Sequence, residues 1–332
     1  MDVKQKNFLI IITLIALFVW HSLVFALQAS DDRISIIYIS DLNLYHTPSQ
    51  NQSIKHTLEK KFGILIYESQ AVFQEIIGYI NQKLKPDIVI FGGNNIADEK
   101  KDENLWQLFL DMTSELKSKV FVNPGINEIK TYNTDELAYS LSIFGQRTKN
   151  LWYSQKIRNY LFINLNSVLL FNNSGLSREQ LKWFTSVLSQ NKNTTTVIAL
   201  YHSLLDAGGN IINNSAAKKI IEIIDANPQV KLVLSGGEYF NRTHLFKDCL
   251  FVNVPSPVVY PCSFKIVELS PGSIKIRTVN IPLKGIVNKA LKSAKEAEYF
   301  KTKASPNDVK SYLLGKGQDL QFDYVFSDLK NR

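Results

Sequence analysis

Short apolar, β-branched runs recur along this chain, and most of them stop abruptly at aspartate, asparagine, histidine or glycine. Arg33–Ser40, Asp87–Phe91, Lys119–Asn123, Leu161–Leu165, Thr196–Tyr201 and Val230–Ser235 are the clearest. A strand apolar on successive residues is one covered on both faces. Helical spacing lies between them. Apolar residues stand at 72, 73, 76, 77, 80 and 84, then at Leu105, Leu108, Phe109, Met112 and Leu116. A further helix is predicted over Ser215–Asp225, with Ala217, Ile220, Ile221 and Ile224 inward. Ser177-Arg178-Glu179-Gln180 has the form of a capping box opening a helix through Leu188. Leu250–Val254, Ser263–Leu269 and Ser273–Val279 follow as strands without helices between them. The alternation predicts a mixed α/β domain built in layers.

The strand stops carry the functional signal. Asp41, Gly92-Gly93, Gly125, Asn166, His202 and Gly236-Gly237 each stand just after a predicted strand. In α/β sheets ligands bind beyond the carboxyl ends of strands, so these residues are expected to meet at one rim. Five segments there form an ordered set: Ile39-Ser40-Asp41-Leu42-Asn43, Phe91-Gly92-Gly93-Asn94-Asn95, Asn123-Pro124-Gly125-Ile126-Asn127-Glu128, Leu200-Tyr201-His202-Ser203-Leu204 and Ser235-Gly236-Gly237-Glu238-Tyr239. Trp183 sits in a Gln-Leu-Lys-Trp stretch before the fourth. In order and spacing they resemble the calcineurin-like metallophosphoesterase family. The resemblance implies a layered β-sandwich flanked by helices over residues 31–284.

The family builds a two-metal site on this rim, in which paired cations orient a phosphoester and generate a hydroxide. Its pattern is Asp-x-His, Gly-Asp-x-x-Asp, Gly-Asn-His-Asp/Glu, a lone His, and Gly-His-x-His. Here Asp41 survives, but Asn43 stands in place of the first His. Gly93 replaces the bridging aspartate. Ile126 and Asn127 replace the metal-binding Asn and the acid-catalytic His, while Glu128 is kept. His202 is kept as the lone His, and Gly237 and Tyr239 replace both final histidines. Of the implied metal ligands only Asp41 and His202 remain. Without a bridging carboxylate, little offsets the repulsion of two cations. One Asp and one His do not make a four-ligand site. The missing acid His is worth about 10²–10⁴-fold in rate. His46, His244 and Asp98 lie near the motifs, and loop roles suit them better than rescue of a metal site.

No cofactor is therefore expected. The alternative is a divalent Mn, Fe or Zn ion in a diverged phosphatase or phosphodiesterase. The glycines at 92, 93, 236 and 237 would leave room at the rim, and their amides could receive an anion.

The remaining features bear on location and partners. Phe8 to Leu27 carries no charge and is long enough to span a bilayer, which takes about 20 residues. Lys4 and Lys6 put its short N-terminal side in the cytoplasm. The segment 1–30 is read as an uncleaved signal anchor holding the domain outside the cytoplasm. Leu27-Gln28-Ala29-Ser30 is an imperfect cleavage site whose use would release the domain as a secreted protein. The net charge of +8 is spread along the sequence with no basic arm, which argues against a nucleic-acid partner. Cys249 and Cys262, the only cysteines, are either a disulfide or two buried thiols. Asn-x-Ser/Thr sequons stand at Asn51, Asn172, Asn193, Asn213 and Asn241. From Gly285 the pattern becomes helical, with Val287, Leu291, Ala294 and Ala297 on one face and a shorter helix near Val309–Leu314. This tail, 285–332, is expected to pack on the domain or to meet a protein partner.

Overall fold

Both sides of the first strand are apolar because both sides are covered. In the computed structural model, which describes residues 20, 32–46, 52–97, 103–172 and 175–326, β1 (Ile34–Ile39) turns Ile34, Ile36 and Tyr38 toward a second sheet. Ile37 and Ile39 face helices on the other side. The chain continues through α1 (Gln52–Phe62), α2 (Ser69–Tyr79), β2 (Ile88–Phe91), α3 (Glu103–Ser114), β3 (Lys119–Val122), α4 (Ile126–Thr131) and α5 (Thr134–Leu141). Then come β4 (Tyr153–Ile157), β5 (Tyr160–Leu165), α6 (Ser167–Phe171), α7 (Gly175–Ser189), β6 (Thr195–His202), α8 (Ser215–Asp225) and β7 (Val230–Gly236). Four strands follow without an intervening helix: β8 (Arg242–Phe246), β9 (Cys249–Asn253), β10 (Ser263–Ser270) and β11 (Ser273–Asn280). The C-terminal part holds α9 (Ile286–Glu296), α10 (Glu298–Lys301), α11 (Val309–Leu314), α12 (Gly317–Leu320) and β12 (Gln321–Val325).

Two six-stranded sheets stack face to face, in the orders β12-β11-β10-β1-β2-β3 and β4-β5-β6-β7-β9-β8. β1, β2 and β3 are parallel, as are β5, β6, β7 and β9. Their carboxyl ends therefore share one edge of the sandwich. The inner core joins Ile36, Ile90 and Phe121 to Phe162, Val197, Leu234 and Val252. Outside it, one helical layer covers the first sheet and another the second, the latter through Phe184, Leu188, Ile220 and Ile224. This is the mixed α/β layered sandwich that the strand pattern predicts.

The C-terminal tail differs from its expected all-helical form. Ala290, Ala294, Ala297, Phe300, Val309 and Leu313 are buried in the core outside the first sheet. β12 then pairs antiparallel with β11 and becomes that sheet's edge strand. The fully buried Lys265 of β10 donates to Thr278 Oγ1 at 2.9 Å and to the backbone carbonyl of Asp319 in α12. Burial pushes its ammonium down to about 7, partly offset by the Asp319 carboxylate. Asp319 also accepts the Thr243 amide at 2.7 Å, tying the tail to β8.

Three other expectations are corrected or resolved. Ser177 does not cap α7, which starts at Gly175; its hydroxyl donates to the Leu169 carbonyl at 2.7 Å. Gln180 instead clamps the backbone of Asn166, through bonds of 2.9 and 3.1 Å. Cys249 and Cys262 are both buried free thiols in different cores, so no disulfide joins them. Asn241 is fully buried, with its amide donating to Thr278 and to the Leu314 carbonyl, and cannot accept a glycan in the folded domain. The expected span Phe8 to Leu27, Trp20 apart, lies outside the described residues, as do Asn51 and Asp98. Among the described residues no helix is long and apolar enough to cross a membrane.

Phe300 is fully buried between the domain and its tail. Phe300→Ala is expected to cost about 3–5 kcal/mol, measured by denaturant unfolding. A loss under ~1 kcal/mol would mean that the tail is not part of the core.

Candidate functional site

The strand ends do converge, and Asp41 lies at their centre, fully buried. A carboxylate without water needs donors. Its Oδ2 accepts the Ser40 hydroxyl at 2.8 Å and the Gly237 amide at 2.8 Å. Its Oδ1 accepts Asn94 Nδ2 at 3.3 Å. The Tyr201 hydroxyl bonds the same carboxylate. Burial raises the Asp41 carboxyl to about 6, and these four bonds hold it back from rising further. Its amide donates to the Gly93 carbonyl at 2.9 Å, and its carbonyl accepts Ser256 Oγ at 2.7 Å.

Tyr201 fills the place left by the lost ligands. A Cβ added at Gly93 would lie 2.7 Å from Tyr201 Cδ2, and one at Gly237 3.3 Å from its Cζ. The ring therefore lies between the two positions where the family pattern has a bridging Asp and a His. Both glycines have positive φ, +110° and +80°, a region that disfavours any side chain. The Tyr201 hydroxyl also accepts Asn94 Nδ2 at 2.5 Å. The room expected around the glycines is thus taken by an aromatic ring. The Gly237 amide expected to meet an anion already binds Asp41.

The other substituted positions form a hydrogen-bonded lattice. Asn127 Nδ2 donates to Asn43 Oδ1 at 3.3 Å and to the Ile96 carbonyl at 2.8 Å. Asn43 Nδ2 donates to the Asp41 carbonyl at 2.9 Å. Two amides therefore bond to each other where the resemblance places imidazoles. Glu128, fully buried, faces backbone: its Oε2 accepts the amides of Gly125 at 2.6 Å and Asn94 at 3.1 Å, and its Oε1 that of Ile96 at 3.0 Å. Burial pushes its carboxyl up to about 7 against those bonds. Tyr239, at φ 64°, is turned away into the tail, edge-on to Tyr299 and Phe300. Next to it Glu238 accepts the Tyr299 hydroxyl at 2.8 Å.

His202 shares the rim but has its own partners. Its ring stacks on Phe171 with centroids 4.4 Å apart, and Nδ1 lies 3.0 Å from Ser167 Oγ. Burial lowers its imidazole to about 4, so it is neutral at neutral pH. The Ser167–His202 pair is no activated nucleophile, because Ser167 is fully buried and also accepts the His202 amide. Of the neighbouring histidines, His244 packs over Gly209, with Nε2 lacking a partner among the described residues, and His46 lies beside Tyr45. Among the described residues no three His, Cys, Asp or Glu side chains cluster as a metal site needs. The residues present do not fit a two-metal centre: one carboxylate with both oxygens engaged, one imidazole bonded to Ser167 and stacked on Phe171, and a tyrosine ring packed against Gly93 and Gly237.

Tyr201 was the rim residue that motif comparison passed over. The signal was in the motifs themselves. Two glycines in place of two large ligands leave a void, and close-packed interiors fill voids from the nearest strand.

The sequence pattern described as calcineurin-like phosphoesterase matches residues 34–239. The chain belongs to the calcineurin-like phosphoesterase family. Among solved structures, a dimetal phosphatase from Danio rerio is similar, with a TM-score of 0.55 and 13% identity over 74% of this chain and 97% of that one. GAP50, described as the anchor in the inner membrane complex of Plasmodium, is similar with a TM-score of 0.50 and 13% identity, over 77% and 86%. At that identity the likeness is one of fold. No curated protein matches the sequence.

Two outcomes follow from the lattice. Glu128→Ala strands three buried amides and should cost roughly 3 kcal/mol or more by chemical denaturation. Asp41 has a folded pKa raised from 3.8 to about 6, so the folded state holds its proton more tightly than the unfolded state. Its contribution is full below about pH 4 and is lost as pH rises through about 6. The stability of the wild type relative to Asp41→Asn should fall across that window; a flat difference would place the carboxylate in water.

Proposed function

We propose that this chain is a membrane-anchored, exported pseudo-phosphoesterase that acts by binding. The carrying observation is the Tyr201 ring between Gly93 and Gly237, with Asp41 bonded to Ser40, Asn94, Tyr201 and Gly237. A polarising cation needs free oxygen or nitrogen donors, and second-layer tuning cannot replace absent ligands. The anchor rests on the uncharged run from Phe8 to Leu27 behind Lys4 and Lys6, which puts the domain on the far side of the membrane. GAP50 has this fold and is described as an anchor, so a holding role is compatible with it. The tail gives its inner face to the core, so a protein partner would meet only its outer residues.

The alternative, a diverged hydrolase using Mn, Fe or Zn, makes the opposite prediction about metal. The purified chain, loaded with each ion and desalted, should retain less than one equivalent and should not hydrolyse generic phosphodiesters. Stoichiometric metal, with turnover abolished by Asp41→Ala or His202→Ala, would falsify the binding reading.

Gly93→Asp should not restore metal binding. Its side chain meets Tyr201 Cδ2 and the Gly125 backbone within 3 Å, at a φ of +110°. Overpacking and a strained backbone together are expected to cost roughly 2–5 kcal/mol, read by thermal or denaturant melts. A fully stable variant that binds manganese would show that the ring yields easily.

A further inference from the structure

We propose that the end of the sandwich opposite the rim is a membrane-facing surface for the headgroups of anionic lipids. The inference rests on the anchored reading and adds an orientation to it.

Seven of the basic residues that look scattered along the sequence are gathered here. β1, β2 and β3 run parallel, with Ile36 opposite Ile88 and Ile88 opposite Lys119, so the segments entering all three lie at one end. Exposed Arg33 precedes β1, Lys83 and Lys85 precede β2, and Lys117 and Lys119 lead into β3. Lys156 flanks the β4–β5 turn, which reaches the same end, because Arg158 in that turn donates to the Arg33 carbonyl and to Asp87. Carboxylates there are fewer. Asp87 is held by Arg158 at 2.7 Å and by the Ser35 amide and hydroxyl, and Asp32 accepts the Asn159 amide. Glu115 faces Gln74 at 3.4 Å. Lys83, Lys85 and Lys117 form no ion pair among the described residues. At the far edge of the second sheet Lys247 is paired with Asp225.

The surface has a recess as well as a charge. A cleft of about 590 Å³ is lined by Asn81, Gln82, Lys85, Pro86, Lys117 and Ser118. Its walls are braced: Asn81 bonds the Lys117 amide at 3.1 Å and the Glu115 carbonyl at 2.9 Å, and Ser118 donates to the Pro86 carbonyl at 2.6 Å. Two ammonium groups beside the exposed Gln82 amide suit a lipid phosphate.

The chain entering at this end selects a membrane as the occupant. Only residues 28–33 separate Leu27 from the start of β1. Six residues reach at most about 20 Å, so the tether keeps this end close to the bilayer. Basic residues within that distance gain about 1 kcal/mol each at an anionic surface, or about fivefold in the docked-to-undocked ratio. The rim then faces away from the lipid.

The test uses the full chain in nanodiscs of phosphatidylcholine, with and without phosphatidylglycerol. Cys249 and Cys262 are buried, so a fluorophore can be placed on Lys119→Cys or, at the rim, on exposed Asn213→Cys. A quencher is carried on lipid headgroups. The Lys119→Cys label should be quenched more in the anionic discs, and raised salt should reverse this. The Asn213→Cys label should stay bright in both. Lys83→Glu, Lys85→Glu and Lys117→Glu together should abolish the anionic preference without changing the melting curve. Equal quenching in neutral and anionic discs, or loss of docking on adding inorganic phosphate at an ionic strength where chloride leaves it intact, overturns the proposal. A chain that never enters the discs removes the anchor itself, a failure distinct from an anchored domain that does not dock.

Discussion

The fold closes around the buried carboxylate of Asp41. Asp41 leaves the first sheet, and two of its donors, the Gly237 amide and the Tyr201 hydroxyl, belong to the second. The charge therefore bonds one sheet to the other. In this chain the Asp41 carboxyl is a hydrogen-bonded cross-link between the two layers. An unpaired carboxylate at that depth would cost several kcal/mol, so every group around Asp41 is fixed by the need to face it.

Volume follows charge. Replacing a bridging aspartate and a histidine by glycine would leave a cavity whose cost grows with its size. Tyr201 removes that cavity and supplies a donor at the same time. Asn43 and Asn127, bonding each other and neighbouring carbonyls, do the same for the lost imidazoles. The rim has kept the left-handed backbone at Asp41, Asn43 and Asn94, with φ near 50°, while its side chains have been exchanged for neutral amides and a phenol. Aspartate and asparagine tolerate that conformation.

The central strands were legible because burial on both faces leaves nearly continuous apolar runs, and their stops marked the rim. Three of the four edge strands were not. β4, β8 and β12 read Tyr-Ser-Gln-Lys-Ile, Arg-Thr-His-Leu-Phe and Gln-Phe-Asp-Tyr-Val, with the polar residues that edges carry. α4 and α6 are too short for a helical period to register. At the site, one-residue motif comparison located Asp41 and His202 but could not give their partners. Asp41 is satisfied by Tyr201 and Gly237 from the opposite sheet, and His202 by Ser167 and Phe171 from α6. Glu128 looked like a surviving catalytic remnant, yet its oxygens face backbone amides.

The first and last described strands lie in one sheet, with β1 near its middle and β12 at its edge. Phe300, Val309 and Leu313 complete the core over residues that are made far earlier. A chain threaded through a membrane from its N-terminus would therefore display that unfinished apolar face until nearly all of it had crossed. Under the proposed export, folding would be an event of release, and whatever receives the emerging chain would have to shield β1 and β2 until the tail arrives.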